Sequence, residues 1–127
     1  MTRPPVDVRP AGLADVDDLV QLWTSAREEL ARNGRPLGAA DAEGLRRRLA
    51  TALAEDGLQV VLARWAGRPA GYALMRVAAL APLLDGVVLH VDHLFVLPEL
   101  RRHGIARALH AMVAGTAERL GADQVVA

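Results

Sequence analysis

The segment from Arg101 to Ala106 has the residue types of a phosphate-binding turn. It reads RRHGIA and lies between an apolar, strand-like run and a stretch with helical periodicity. The first N–H groups of a helix have no partner within the helix, and the helix dipole places partial positive charge there. Gly104 lets a phosphate approach the backbone, and Arg101 and Arg102 supply charge and donors. The sequence therefore predicts an anion site at this turn.

Two other kinds of phosphate site are excluded. The chain has no lysine, which a Walker-type phosphate loop needs. The dinucleotide fingerprint G-x-G-x-x-G is absent, because Arg102 occupies the place of its first glycine if Gly104 is the second. The site must therefore use backbone amides and guanidinium groups. His103 either contacts the phosphate or is a solvated loop residue.

A second set of chemically capable side chains lies on the strand-like run Val87–Val96. Strand alternation predicts that His90, Asp92 and Leu94 share one face and that Val91, His93 and Phe95 share the other. A histidine beside a carboxylate can act as a general base, and it can equally be a structural pair or line a polar pocket. Since His93 is predicted to face away from the other two groups, no metal site is expected.

Composition restricts the class of protein. The 127 residues, 52% of them hydrophobic, predict one domain covering 1–127. The absence of cysteine excludes disulfides, thiolate nucleophiles and Cys-ligated zinc. Fifteen basic and fifteen acidic residues cancel and aromatics are 3%, which argues against nucleic-acid binding. No apolar run reaches a membrane span and Met1–Pro5 has no apolar leader, so a cytoplasmic protein with no membrane partner is expected.

Periodicity and turn residues predict an alternation of strands and helices that would position both sets of residues. The first half is predicted to contain a strand at Val6–Arg9, a helix from Ala14 to about Asn33 and a second helix capped by Asp41 and ended by Gly57. A hairpin of strands Gln59–Trp65 and Ala70–Val77 and a loop Ala78–Gly86 follow. The chain then continues with a strand Val87–Val96, a helix Ile105–Leu120 ended by Gly121, and a strand Gln124–Ala127 parallel to Val87–Val96.

The segment Leu94–Ala106, LFVLPELRRHGIA, resembles the cofactor motif of the GNAT superfamily of acyl-CoA-dependent N-acyltransferases. The order of predicted elements fits that family over nearly the whole chain. The resemblance implies an α/β fold with a central mixed sheet flanked by helices. It also implies direct transfer of an acyl group from acetyl-CoA, or another acyl-CoA, to an amine of a small molecule or protein, without a metal.

The resemblance also implies roles for individual residues. His90 and Asp92 match positions where family members often place a catalytic base. The backbone of the strand would pair with the pantetheine arm, and the turn would hold the pyrophosphate. The cofactor-binding residues would then be Leu94, Phe95, Val96, Arg101, Arg102, His103, Gly104, Ile105, Ala106 and Arg107.

The sequence departs from the family pattern near its end. The family's general acid is commonly a tyrosine beyond the fifth strand, whereas the only tyrosine here, Tyr72, lies in the predicted third strand. Two further strands usually complete the sheet, so the domain is expected to be C-terminally incomplete. We expect the chain to be cut from a longer protein; a homodimer that supplies the missing strands and a naturally minimal domain are the alternatives.

Two other functions compete with a transferase. The chain could be a non-catalytic module that binds an acyl-CoA, which needs the turn at Arg101–Ala106 but neither His90 nor Asp92. It could also be an interaction protein whose turn binds another anion or nothing. Substitution of His90 and Asp92 distinguishes an enzyme from a binding module, because only the enzyme needs these residues. An interaction protein would show no effect of CoA on its stability.

Overall fold

The computed structural model describes residues 5–34, 41–54, 58–79 and 86–126, which form a five-stranded sheet with helices on both faces. The elements are β1 (Val6–Pro10), α1 (Val16–Arg32), α2 (Ala42–Leu53), β2 (Leu58–Trp65), β3 (Arg68–Ala79), β4 (Val87–Val96), α3 (Ile105–Leu120) and β5 (Gln124–Val126). The strand order is β1-β2-β3-β4-β5, antiparallel except that β5 runs parallel to β4. The predicted mixed α/β fold is confirmed.

Most element boundaries lie within two residues of those predicted. The hairpin connection is only Ala66-Gly67, both with positive φ, as a tight primed turn requires. Ala78 and Ala79 continue β3, so the prediction that the loop begins at Ala78 is wrong, because their pairing with β4 extends the strand. Gly57, most of the predicted Ala78–Gly86 loop and Ala127 lie outside the described residues.

Local signals explain the helix ends. The Asp41 side chain accepts a hydrogen bond of 2.6 Å from the Gly44 N–H, which confirms the predicted cap of α2. Gly121 ends α3 with φ +65°, as a left-handed C-terminal residue does. None of the helices in the described ranges is long and apolar enough to cross a membrane.

The sheet has a hydrophobic core on each face. Helix α3 packs on one face, where Leu109 and Ile105 meet Met75 and Leu89 of the sheet. Helices α1 and α2 cover the other face. The core on that side consists mainly of Leu19, Leu22, Ala26, Val60, Leu62, Tyr72 and Phe95. Strand β4 contributes to both cores, so one of its faces packs under α3 and the other under α1 and α2.

A β-bulge interrupts the pairing of β3 with β4. Met75 pairs with Val91 and Leu74 pairs with His93, which leaves Asp92 as an extra residue in β4. A bulge places two residues of one strand opposite one residue of the other and resets the alternation of side chains. Simple alternation therefore fails along β4 after Val91.

The bulge overturns part of the predicted arrangement of β4. Val91 and Leu94 both pack against the α3-side core, whereas His93 and Phe95 pack on the α1 side. His90, between two residues that face α3, projects to the α1 side. The predictions that Leu94 shares a face with His90 and that His93 faces away from it are wrong, because Asp92 occupies an extra position in the strand.

Candidate functional site

The turn between β4 and α3 has the geometry of an anion site. After a short 3-10 turn at Pro98–Leu100, Arg102 and Gly104 adopt left-handed conformations with φ of 71° and 82°. The first intrahelical bond of α3 joins the Ala108 N–H to the Gly104 carbonyl at 3.0 Å. The earlier N–H groups of the helix are therefore free to bind an anion. Glycine suits position 104 because it adopts this left-handed conformation without strain.

A pocket of about 370 Å³ opens directly over this turn. It is lined by residues of the end of β4, the turn and the start of α3: Val96, Arg101, Arg102, Gly104, Ile105, Ala106 and Arg107. All seven are among the cofactor-binding residues predicted from the sequence. The structure therefore brings the predicted turn residues other than His103 together around one cavity.

A second pocket of about 310 Å³ adjoins the first and shares Val96, Arg101 and Ala106 with it. The remaining lining residues are Ala26, Glu29, Leu30 and Asn33 of α1 and its end, and His93, Leu94 and Phe95 of β4. The two pockets form a continuous groove from the start of α3 along β4. Sequence reasoning missed the α1 residues, because an amphipathic helix gives no signal that distinguishes groove lining from core packing.

The backbone of β4 is open along this groove. The Leu97 N–H donates to Ala70 of β3, so alternation turns the peptide groups of Val96 and Leu94 toward the opposite edge. On that edge, within the described residues, β5 pairs only with Val88–His90. The N–H and carbonyl of Leu94 and the N–H of Val96 can therefore bind an extended ligand arm, whereas the Val96 carbonyl is bonded to Arg101. This agrees with the role predicted for them and does not test it.

Arg101 is held by several contacts. Its Nε donates to the Val96 carbonyl at 3.1 Å, and its terminal nitrogen lies 2.7 Å from a Glu29 carboxylate oxygen. Its guanidinium carbon also lies 5.9 Å from the centre of the Phe95 ring. Arg101 thus lines both pockets where they meet. Arg102 is exposed and is the freer cation of the pair.

His103 is exposed and packs on Trp65, with ring centres 4.8 Å apart. It is not among the residues lining either pocket, although it belongs to the predicted cofactor turn. The contact fixes the turn against the end of β2.

His90 and Asp92 project to the same face, as predicted, but lie next to a cation. Both nitrogens of the Arg76 guanidinium edge bond to Asp92, at 2.5 and 3.1 Å. The hydrogen bond and the charge of Arg76 lower the pKa of the Asp92 carboxyl. Neither His90 nor Asp92 is among the residues lining the two pockets.

His93, which the sequence interpretation set aside, lines the second pocket. Its Nδ1 lies 2.7 Å from the Tyr72 hydroxyl oxygen. Burial lowers the pKa of the His93 imidazole and raises the pKa of the Tyr72 hydroxyl. The sequence held no signal for this contact, because it depends on the bulge.

The other polar residues considered from the sequence lie at the surface. Arg46, Arg47 and Arg48 are exposed, and Arg46 pairs with Asp17 at 3.0 Å. His110 is exposed as well. Across the described ranges, no group of three or more His, Cys, Asp or Glu side chains could hold a metal ion.

The chain is an α/β protein with a mixed sheet, whose fourth strand leads through a left-handed glycine turn into a helix and is followed by a groove. Residues 26–127 match the family model described as an acetyltransferase (GNAT) domain. The chain belongs to the GNAT acetyltransferase family. No curated protein matches the sequence.

Solved structures of similar fold include several acetyltransferases. A ribosomal-protein-alanine N-acetyltransferase from Brucella melitensis biovar Abortus 2308 has a TM-score of 0.77 and 20% identity, covering 96% of this chain and 79% of the other. An aminoglycoside N-acetyltransferase solved with CoA has a TM-score of 0.76 and 19% identity, covering 98% and 77%. An integron cassette protein from the mobile metagenome of Cole Harbour Salt Marsh has a TM-score of 0.81 and 23% identity, covering 94% and 74%. The predicted family and fold are confirmed.

Proposed function

We propose that this protein transfers an acyl group from an acyl-CoA, with acetyl-CoA as the first candidate, to an amine of a small molecule or protein. The observation that carries the proposal is the continuous groove that begins at the free N–H groups of α3 and follows the open edge of β4. A CoA has the matching chemistry: a diphosphate at one end and an amide-containing arm at the other. The solved neighbour that contains CoA supports the choice.

The turn residues fit the charged end of this ligand. Backbone N–H groups of Ile105, Ala106 and Arg107 bind the diphosphate, and Arg102 adds an exposed guanidinium. Leu94 and Val96 offer peptide groups to the amide-containing arm, except that the Val96 carbonyl is already bonded to Arg101. Bound acyl-CoA supplies the acyl group as a reactive thioester.

His90 is the candidate base for the transfer. As the amine nitrogen bonds to the acyl carbon and the carbon–sulfur bond breaks, His90 takes the amine proton directly or through water, and the thiolate is released. Histidine suits this role because a neutral imidazole nitrogen can accept a proton from the amine. Asp92 is bound by Arg76, so we assign it the role of a charged neighbour of His90 rather than that of the base itself.

Binding is tested by thermal unfolding with acetyl-CoA, CoA and ATP, comparing the parent with Gly104→Glu. A ligand that binds only the folded state raises the midpoint. The matched control is Gly121→Glu, which places the same side chain in the same left-handed backbone at the other end of α3. We expect both CoA compounds to stabilise the parent and Gly121→Glu but not Gly104→Glu. A folded parent that neither compound stabilises contradicts the proposal.

A non-catalytic acyl-CoA-binding module is the second candidate, because neither His90 nor Asp92 is among the residues lining the groove. Acetylation of a panel of amines separates the two. An enzyme should lose about 10²–10⁴-fold in kcat on His90→Gln, the usual contribution of a general base, while CoA still stabilises the variant. A parent that binds acetyl-CoA and acetylates none of the amines favours the binding module.

A further inference from the structure

Tyr72 and His93 form a neutral polar pair beside the second pocket. Tyr72 is only 4% exposed and belongs to the core under α1. His93 is half-buried, lines the pocket and lies with its Nδ1 2.7 Å from the Tyr72 oxygen. The pair therefore joins the core of the protein to the groove.

The direction of this hydrogen bond follows from burial. A buried hydroxyl that does not donate loses free energy, and within the described ranges the His93 Nδ1 is the one hydrogen-bond partner of the Tyr72 hydroxyl. The raised pKa of Tyr72 keeps its proton in place. Tyr72 therefore donates to Nδ1, and the neutral His93 ring carries its proton on Nε2.

The Nε2 atom of His93 is accessible on a residue that lines the second pocket. Among the described residues Nε2 has no hydrogen-bond partner. No buried side-chain nitrogen or oxygen in those ranges lacks a partner, so Nε2 is not buried. Trp23 meets the ring edge to face at 5.5 Å and Phe95 lies 6.3 Å away, so aromatic contacts fix the ring's orientation.

We propose that the Nε2–H of His93 is a catalytic hydrogen-bond donor to the acyl carbonyl oxygen, with Tyr72 as the residue that positions it. The inference rests on the proposed function. With the diphosphate bound at the start of α3, the groove leads past Val96 to His93, where the thioester end of the ligand arrives. The ring stays neutral throughout, since it stabilises the charge that develops on the oxygen and transfers no proton.

Three variants test this role in kinetics. His93→Met replaces the imidazole with an apolar side chain that has no donor, His93→Gln restores an N–H donor, and Tyr72→Phe keeps the packing but frees Nδ1. We expect His93→Met to lower kcat by about 10²–10³-fold, as for loss of one oxyanion donor, and to raise KM for acetyl-CoA by a smaller factor, because the same hydrogen bond is weaker before the charge develops. His93→Gln should recover most of that loss, and Tyr72→Phe should lie between it and the parent.

Thermal unfolding shows which variants remain folded. The inference is overturned if folded His93→Met keeps the parent kcat, or if His93→Gln is no better than His93→Met. A purely structural role of His93 would change the unfolding midpoint and leave kcat per folded molecule unchanged.

Two measurements do not depend on turnover. Nitrogen NMR of the free protein should show the His93 proton on Nε2, and a proton on Nδ1 of the neutral ring overturns the inference. In binding assays the parent should prefer acetyl-CoA over a thioether analogue without the carbonyl oxygen, and His93→Met should lose that preference. A parent that binds both equally overturns the role of His93 alone, whereas a parent that binds neither overturns the proposed function as well.

Discussion

Two polar pairs join β3 to β4 on the same face of the sheet. Arg76 and Asp92 form an ion pair whose side chains are 57% and 32% exposed, whereas Tyr72 and His93 form a neutral hydrogen bond that reaches into the core. The bulge at Asp92 places them next to each other. At the exposed position both charges keep much of their hydration, while at the buried position only neutral groups are stable.

This difference determines what each pair can offer a ligand. The bidentate contact with Arg76 occupies both oxygens of Asp92. The bond from Tyr72 occupies only one nitrogen of His93 and leaves the other at the groove. The buried pair is therefore the one with an unpartnered N–H on a residue of the groove, where we propose that the substrate binds.

The two pairs should differ most in how much they contribute to the free energy of unfolding. Tyr72→Ala should cost about 3–5 kcal/mol, as for other large-to-small aromatic substitutions in a core, because it leaves a cavity under α1. Arg76→Ala should shift the urea midpoint only slightly, since exposed ion pairs contribute little. Urea unfolding followed by circular dichroism measures both, and equal losses would show that the pairs do not differ in burial as described.

The two pairs should differ less strongly in the pH range over which they affect the free energy of unfolding. Because burial lowers the pKa of His93, the unfolded chain takes up a proton at this residue at higher pH than the folded protein does. The stabilising effect of the neutral ring is complete above about pH 6.5 and is lost as pH falls through the folded pKa. We expect the free energy of unfolding of His93→Gln to fall less between pH 7 and pH 5 than that of the parent protein. Asp92→Asn is the control, because the pKa of Asp92 is lowered and its effect lies near pH 4 and below.

The smallest effect concerns the exposed pair alone. Arg76→Gln should raise the pKa of the Asp92 carboxyl toward its ordinary value, because the main cause of the lowered pKa is removed. Carboxyl-carbon NMR titration of Asp92 measures this directly, with Asp7, which pairs with Arg9, as an internal reference. A titration curve for Asp92 that does not move would mean that the contact with Arg76 is absent in solution.

The sequence predicted the turn at Arg101–Ala106 well, because the signals there are local. A glycine that must adopt positive φ, the start of a periodic helix and an apolar strand each leave a pattern that neighbouring residues specify. The mixed sheet and its parallel last strand followed from the same kind of pattern. The roles of the individual turn residues stay predictions.

The arrangement of β4 could not be predicted in the same way. Alternation is reliable only while the pairing register is unbroken, and nothing in the residues Val91-Asp92-His93 indicates that Asp92 is an extra residue. The Tyr72–His93 bond joins positions 21 residues apart and depends on that register. Glu29 and Asn33 of the groove wall also lie far along the chain from the turn, so their place in the site follows only from tertiary packing.

The left-handed backbone of Arg102 has one more consequence. A side chain other than glycine at φ 71° carries a conformational cost of about 1–2 kcal/mol. The free protein bears this cost on folding, so the turn already has its left-handed backbone before the anion that we propose binds there. Replacing Arg102 with glycine would relax the strain and let the free turn sample other conformations. Ordering the turn would then cost entropy on binding and weaken the binding free energy. The strained residue thus exchanges a little stability of the free protein for readiness to bind.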